Sequence, residues 1–379
     1  MLSPNRKIMI STKIIYNAVF KTEAVDDLDK FQALPKPTGS YPYRLSVDHQ
    51  DAGDCREMIF HMVGDTGGTN SPGCQQRMAG KMAEQYLCAL AGHQPPAFLY
   101  HLGDIVYHYG EAEQYAEQFL KPFDTYPGQI YAIAGNHDTD VNLNSNEPYE
   151  TLDAFYTAFC NVAPKTIHFG KGNIRKSQVQ PHVYWTMQAP LATIIGLHTN
   201  VPKYGHVDRE QKNWFIKELR HAALFHQEKA IIVCMHHAPY SADVNHGSSE
   251  AMISFLEEAF EESGVKPDVV FSGHVHNYQR FSKSYSDGKS VPFIVAGAGG
   301  FDELHQLADP CDPTYQTEND LLKGIRLEQY CDDSHGFLKI AIQKSPFNFQ
   351  IQGEYFIVPE NPEQDAVLFD QFNIDLTGR

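Results

Sequence analysis

The sequence predicts a single α/β domain, because apolar runs of strand length alternate with amphipathic stretches of helix length from Glu57 onward, with no linker between them. The runs MIFHMV, AFLYHL, QIYAIA, ATIIGL, AIIVCM, DVVFS and VPFIVA have the length and content of strands. Helical stretches are expected between them near 74–91, 111–121, 149–160, 208–226 and 249–263. GFLKIAI and FQIQGEYFIV then add further β structure. Residues 1–56 read as an N-terminal extension with a Pro-rich patch, LPKPTGSYP, and 57–379 as the folded domain.

Composition narrows the function classes. The 379 residues are 42% hydrophobic and 20% charged, as in an ordinary globular protein, and carry a net charge of −17. So acidic a chain is poorly suited to nucleic acid or to an anionic membrane surface. A small anionic substrate would need local attraction, which bound cations can supply. No stretch approaches the roughly 18 apolar residues of a bilayer span. Lys7, Lys13 and Asn17 interrupt the apolar N-terminus, so a cleaved signal peptide is not expected. Seven scattered cysteines without a C-x-x-C suggest reduced thiols. The expected compartment is cytoplasmic, with export by a non-cleaved route left open. Oligomeric state is not readable.

Two segments depart from the general charge balance. Residues 162–181 carry Lys165, Lys171, Arg175 and Lys176 and no acid, whereas 302–335 carry nine acids against Lys323 and Arg326. Both read first as solvated loops, and the basic one also as a recruiter of anionic substrate.

The informative pattern is a strand end followed at once by a metal-ligand residue type. Gly64-Asp65-Thr66-Gly67, Gly103-Asp104-Ile105-Val106-Tyr107, Gly135-Asn136-His137-Asp138, His236-His237 and Gly273-His274-Val275-His276 each follow an apolar run. Glycine allows the chain to turn sharply off a strand, so the next side chain can point into the crevice there. Singly these blocks are weak: Gly-Asp is ordinarily a turn, and Asn-His-Asp a set of caps. Together they place carboxylate, amide and imidazole at the ends of neighbouring strands. That donor set suits hard to borderline cations. Seven ligands exceed one tetrahedral ion and suit two ions roughly 3.5–4 Å apart.

These five blocks, GDTG, GDIVY, GNHD, VCMH and GHVH, resemble the metallophosphoesterase superfamily, and within it the purple (tartrate-resistant type) acid phosphatases. Most of that superfamily has Asp-x-His at the first block. Here Gly67 stands in the place of that histidine, and Tyr107 stands where the purple enzymes have a phenolate ligand. The likeness spans about 57–300, and MHHAPYSADVNHG is similar to the small single-domain branch.

The resemblance implies a four-layer αββα sandwich. It implies Asp65, Tyr107 and His276 on a ferric ion, with Asn136, His236 and His274 on a divalent ion (Fe, Zn or Mn) and Asp104 bridging. Three anionic ligands and a bridging hydroxide against five positive charges leave the centre near +1, suited to phosphate. Asn136, His137 and His246 would contact substrate, and His137 or His246 would protonate the leaving group after in-line attack by a metal-bound hydroxide. His246 lies ten residues after His236 rather than the family's nine, which leaves its register open, and His237 replaces a tyrosine. The activity implied is phosphomonoester hydrolysis, that of an acid phosphatase. A phosphodiesterase or nucleotide hydrolase of the same superfamily is the alternative, and a non-catalytic binding protein on the same scaffold a further one.

Overall fold

The computed structural model describes residues 15–22, 25–47, 55–68, 72–90 and 94–378. Most of the segment weighed as a signal peptide, and residue 91 of the first expected helix, lie outside them.

Two mixed sheets form the centre. One runs Val367–Asp375, Asn348–Ile357, Gly336–Ser345, Glu57–Val63, Phe98–His101, Gln129–Ala132 in spatial order. The other runs Ile325–Cys331, Tyr278–Ser284, Ser290–Ala296, Val269–Ser272, Ala230–Met235, Ala192–Gly196, Trp185–Gln188, Arg44–Ser46. In the first sheet, Glu57–Val63, Phe98–His101 and Gln129–Ala132 are parallel. The second has a parallel run from Ala192–Gly196 through Ala230–Met235 and Val269–Ser272 to Ser290–Ala296. An antiparallel strand adjoins the first run on one side and the second run on both.

The sheets pack face to face through aromatic side chains. Tyr278 stacks on Tyr355 with ring centroids 3.9 Å apart, and Tyr100 on Trp185 at 6.1 Å. The Trp185 indole N–H donates to the Ala132 carbonyl across the same interface at 3.2 Å, so its one polar atom is satisfied in the core. Helix Pro72–Leu90 covers the outer face of the first sheet, where Gln85 meets His61 at 3.2 Å. Helices Arg209–Ala223 and Glu250–Ser263 cover the second. Glu218 of the former reaches Thr186 and Arg44 in that sheet, and Phe215 stacks on Phe255 of the latter. Both helices are capped as their sequences suggest: Asp208 accepts the Gln211 N–H, Ser249 accepts the Met252 N–H, and Gly264 terminates at φ 71°. The order helix, sheet, sheet, helix is the expected four-layer arrangement.

The described part of 1–56 is built into this framework. Arg44–Ser46 adds a parallel strand to Trp185–Gln188, and Phe20–Lys21 pairs with Tyr315–Gln316. The basic segment 162–181 is a clip rather than a free loop. Arg175 donates to the carbonyls of Gly128, Phe123 and Tyr126, Lys171 pairs with Glu117 at 2.8 Å, and Lys176 bonds the Thr166 hydroxyl. Those contacts engage the side chains of Lys171, Arg175 and Lys176. Among the described residues no helix is long and apolar enough to cross a membrane, and all seven cysteines are free thiols.

Candidate metal centre

The C-terminal ends of the parallel strands converge at the seam between the sheets, and the five sequence blocks meet there. Glycine matters at this seam because backbones touch. A Cβ on Gly103, which sits at φ 96°, would stand 2.6 Å from the Gly135 nitrogen and 2.7 Å from His236 Nδ1. A Cβ on Gly135 would overlap the Asp104 carboxylate. Three of the ligand candidates, Asp65, Asp104 and His274, hold left-handed backbones at φ 57°, 50° and 67°. Such conformations cost on the order of 1 kcal/mol or more each, and they concentrate where side-chain aim is constrained.

The predicted ligands fall into two groups around Asp104. In one, His236 Nε2 and His274 Nδ1 each lie 3.0 Å from Asn136 Oδ1, and His236 Nε2 lies 3.3 Å from Asp104 Oδ2. In the other, the Tyr107 hydroxyl is 3.3 Å from Asp65 Oδ1 and 3.1 Å from His276 Nε2. All of these side chains are buried except Asn136, which is half-buried.

Hydrogen bonds behind the ligands fix their tautomers. His236 Nδ1 donates to the Leu102 carbonyl at 2.9 Å, His274 Nε2 to Lys203 at 3.2 Å and His276 Nδ1 to Glu303 at 3.1 Å. Each ring therefore turns its other nitrogen into the centre, where it can take a cation once it carries no proton. Asp138 accepts the N–H groups of Ile105, Val106 and Gly135, tying the second block to the third. Gln118 takes the N–H groups of Tyr107 and Gly68 and gives its own to the Tyr107 carbonyl.

The electrostatics describe a site built for cations. Burial, then Asp104 and Asp65, push the Tyr107 phenol well above its ordinary value. Burial likewise raises Asp65, with the Asp104 charge adding to it. Burial opposes charge on His236, but Asp104 outweighs it and holds the imidazolium up to about 9. Burial also acts against ionised Asp104, and there His236, then His137, prevail and keep the carboxyl below the usual range. A proton on His236 thus stands where a cation would sit. It leaves His274 Nδ1 and Asn136 Oδ1 as two lone-pair atoms in contact. Two such atoms side by side, one on half-buried Asn136 and one on buried His274, suit a shared cation.

The predicted substrate residues also reach this place. The His137 N–H donates to Asp104 Oδ1 at 2.9 Å, its Nδ1 to the His108 carbonyl at 2.8 Å, and its ring lies 4.4 Å from that of Tyr107. His246 packs 4.1 Å from the His274 ring, so its ten-residue offset still delivers it to the centre. Its Nδ1 is buried without a partner, and burial lowers its pKa to about 4. His237 bonds Thr199 Oγ1 at 2.7 Å and lies against His274 at 4.2 Å, behind the ligands.

Other contributors escaped the sequence reading. Phe301 covers the Tyr107 ring at 4.1 Å, and His305 stacks on His276 at 4.2 Å. Asp243, His246 and His305 place ligand-type atoms within 4.8 Å of one another. The Asp243 carboxylate is already committed, however. It accepts the Ser241 hydroxyl and the N–H groups of Asn245, His246 and Gly247. It is the clamp of the loop that presents His246, and the spacing Asp-x-x-His-Gly was the available signal for such a turn.

Residues 58–278 match the family of calcineurin-like phosphoesterases. Among curated proteins, purple acid phosphatase 21 of Arabidopsis thaliana is 30% identical over 142 residues, covering 37% of this chain and 26% of that protein. Purple acid phosphatase 18 of the same plant is 29% identical over 194 residues, 49% of this chain and 41% of its own length. The matched stretches thus span less than half of these relatives. Among solved structures, GAP50, "the anchor in the inner membrane complex of Plasmodium", superposes with a TM-score of 0.54 at 13% identity, covering 85% of this chain and 89% of its own. PhoD does so with a TM-score of 0.51 at 14% identity, covering 91% and 72%. Both likenesses show the fold. With the family match spanning more than half of the sequence, this chain belongs to the calcineurin-like phosphoesterases, a family of metal-dependent phosphoester hydrolases.

Proposed function

We propose that the protein is a dinuclear-metal phosphomonoesterase of the acid phosphatase type. The observation that carries this reading is the division of the ligands into two groups about Asp104: Asp65, Tyr107 and His276 on one side, Asn136, His236 and His274 on the other. The first group would hold a ferric ion and the second a divalent ion of iron, zinc or manganese. The ferric assignment rests on the place of Tyr107, 3.3 Å from Asp65 Oδ1 and 3.1 Å from His276 Nε2, because a phenol binds as phenolate best to a strongly charged cation. When bound, the ions would neutralise phosphate charge and acidify the attacking water.

The protein's own groups do the rest. Backbone carbonyls hold the three histidine ligands by their outer nitrogens, so the inner nitrogens face the centre before substrate arrives. His137 is pinned through its N–H to Asp104 and through Nδ1 to His108, and as an imidazolium it would also donate from Nε2 to a phosphate oxygen. His246, held by the Asp243 clamp, offers a proton to the leaving group. Its pKa of about 4 makes that proton available in acid and scarce at neutral pH.

The fold alone does not decide for hydrolysis, since the fold neighbour GAP50 is described as an anchor. The complete ligand set favours an enzyme. Assaying metal-loaded protein with phenyl phosphate and with its bis-ester across acid and neutral pH tests the reading. Faster turnover of the monoester, rising toward acid, supports it. Preference for the bis-ester would favour a phosphodiesterase, and no turnover of either would favour a binding protein.

A further inference from the structure

Two lysines stand at the His246 edge of the metal centre without a carboxylate partner. Lys203 belongs to the turn whose carbonyl anchors His274, so its backbone is one hydrogen bond from a ligand. Its ammonium forms no ion pair among the described residues and lies 6.0 Å from the Tyr204 ring centroid. Lys21 comes from the N-terminal segment. Its ammonium bonds the Asn245 carbonyl at 3.3 Å, one residue before His246.

The segment that brings Lys21 here is firmly attached. The Val19 N–H donates to Ser241 at 2.9 Å, and the Val19 carbonyl accepts the Ser248 N–H at 2.7 Å, so the segment is laced to the His246 loop. Asn17 bonds the backbone of Ile325 and Leu327, which ties it to a strand of the acidic region. The two ammonium groups feel each other: burial, then the charge of Lys21, lowers the Lys203 pKa. Lys203 in turn is among the charges that lower His246. In a chain of net charge −17, two neighbouring cations with no carboxylate in ion-pair contact among the described residues, and only the more distant charges of Asp243 and Asp27 on Lys203, favour an anionic ligand.

Beyond the lysines lies a cleft of about 740 Å³, walled by Phe20, Val25, Leu28, Pro202 and Tyr204 and bordered by Lys21 itself. Two of the acids lining it are engaged. Asp27 accepts the Lys203 N–H and pairs with Lys30, and Asp26 accepts the Leu28 N–H. Glu250 is the remaining one.

We propose that Lys21 and Lys203 form an anion subsite on the leaving-group side of the centre, which receives a second phosphate or carboxylate of the substrate. This rests on the phosphomonoesterase reading and narrows it to substrates whose leaving group is itself anionic. The lysines hold that group beside His246, and the cleft accommodates what lies beyond it.

The test compares wild type with Lys21→Met, Lys203→Met and the double variant, all metal-loaded, on phenyl phosphate, 4-carboxyphenyl phosphate and inorganic pyrophosphate. The double variant should lose at least about tenfold more kcat/KM on the two doubly anionic substrates than it loses on phenyl phosphate. Loss on pyrophosphate alone identifies a phosphate subsite, and loss on the carboxylate alone a carboxylate subsite. Equal loss on all three substrates, or no loss on any, overturns the proposal. If wild type turns over none of them, the hydrolase reading fails, and calorimetric titration with pyrophosphate decides the subsite. Weaker binding by the double variant upholds it, and unchanged affinity rejects it.

Discussion

Asp104 meets His236 Nε2 with one carboxylate oxygen at 3.3 Å and takes the His137 N–H on the other at 2.9 Å. One buried side chain thus faces a proposed metal ligand and fixes the residue proposed to meet the substrate. Asp104→Asn should abolish turnover, by at least about a thousandfold, and lower the occupancy of both ions. Elemental analysis of the variant checks this, and full content of both metals would show that Asp104 does not bridge.

His246 and its clamp should behave as one unit. His246→Ala should slow esters of poorly acidic alcohols by about tenfold to a hundredfold and spare activated aryl phosphates, because only the former need the leaving group protonated. Asp243→Ala should reproduce that leaving-group dependence, with an added loss of stability from the N–H groups it leaves unpaired. Equal loss on both ester classes would make His246 a phosphate-positioning residue instead.

The basic clip should matter for stability and little for substrate. Arg175→Ala removes a guanidinium from three carbonyls and should cost about 2–4 kcal/mol in denaturant unfolding. KM measured at low salt should stay within about twofold of wild type. A large salt-dependent rise in KM would restore this segment as a recruiter of substrate.

Acid should weaken the fold. Burial lowers the His61 pKa to about 3 and that of His182 to about 4, below the ordinary value of 6.5. The unfolded chain then binds more protons than the folded one once pH drops below about 6.5, so stability falls with pH there. The loss is on the order of 2 kcal/mol per such histidine by pH 5. His61→Gln should flatten the decline of the urea midpoint between pH 7 and 5. An unchanged slope would mean that other groups carry it.

Much of this centre was legible in the sequence because ligand aim follows from where parallel strands end, and apolar runs mark those ends. Asp65, Asp104, Asn136, His236 and His274 each directly follow a strand or its glycine, and all five meet. Residues that act from long loops were not legible. His305 reaches His276 from a segment whose nine acids read first as a solvated loop, and Asp243 works through backbone N–H groups that no periodicity reveals. The N-terminal segment around Val19 is apolar, but nothing in its pattern says where it docks. Its place depends on backbone bonds to Ser241 and Ser248, far away in sequence. The basic charge of 162–181 was visible, but the burial of Arg175 against three carbonyls was not.

The most direct test of the metal centre is metal content read together with the visible spectrum, for wild type and Tyr107→Phe. Tyr107 lies 3.1 Å from His276 Nε2 and 3.3 Å from Asp65, where a phenolate would share an ion with both. The account predicts two ions per chain, one of them ferric, and a phenolate-to-iron band that Tyr107→Phe abolishes while the fold persists. Colourless, active wild-type protein holding two divalent ions would contradict the ferric–tyrosinate assignment, and protein that binds no metal at all would contradict the centre itself.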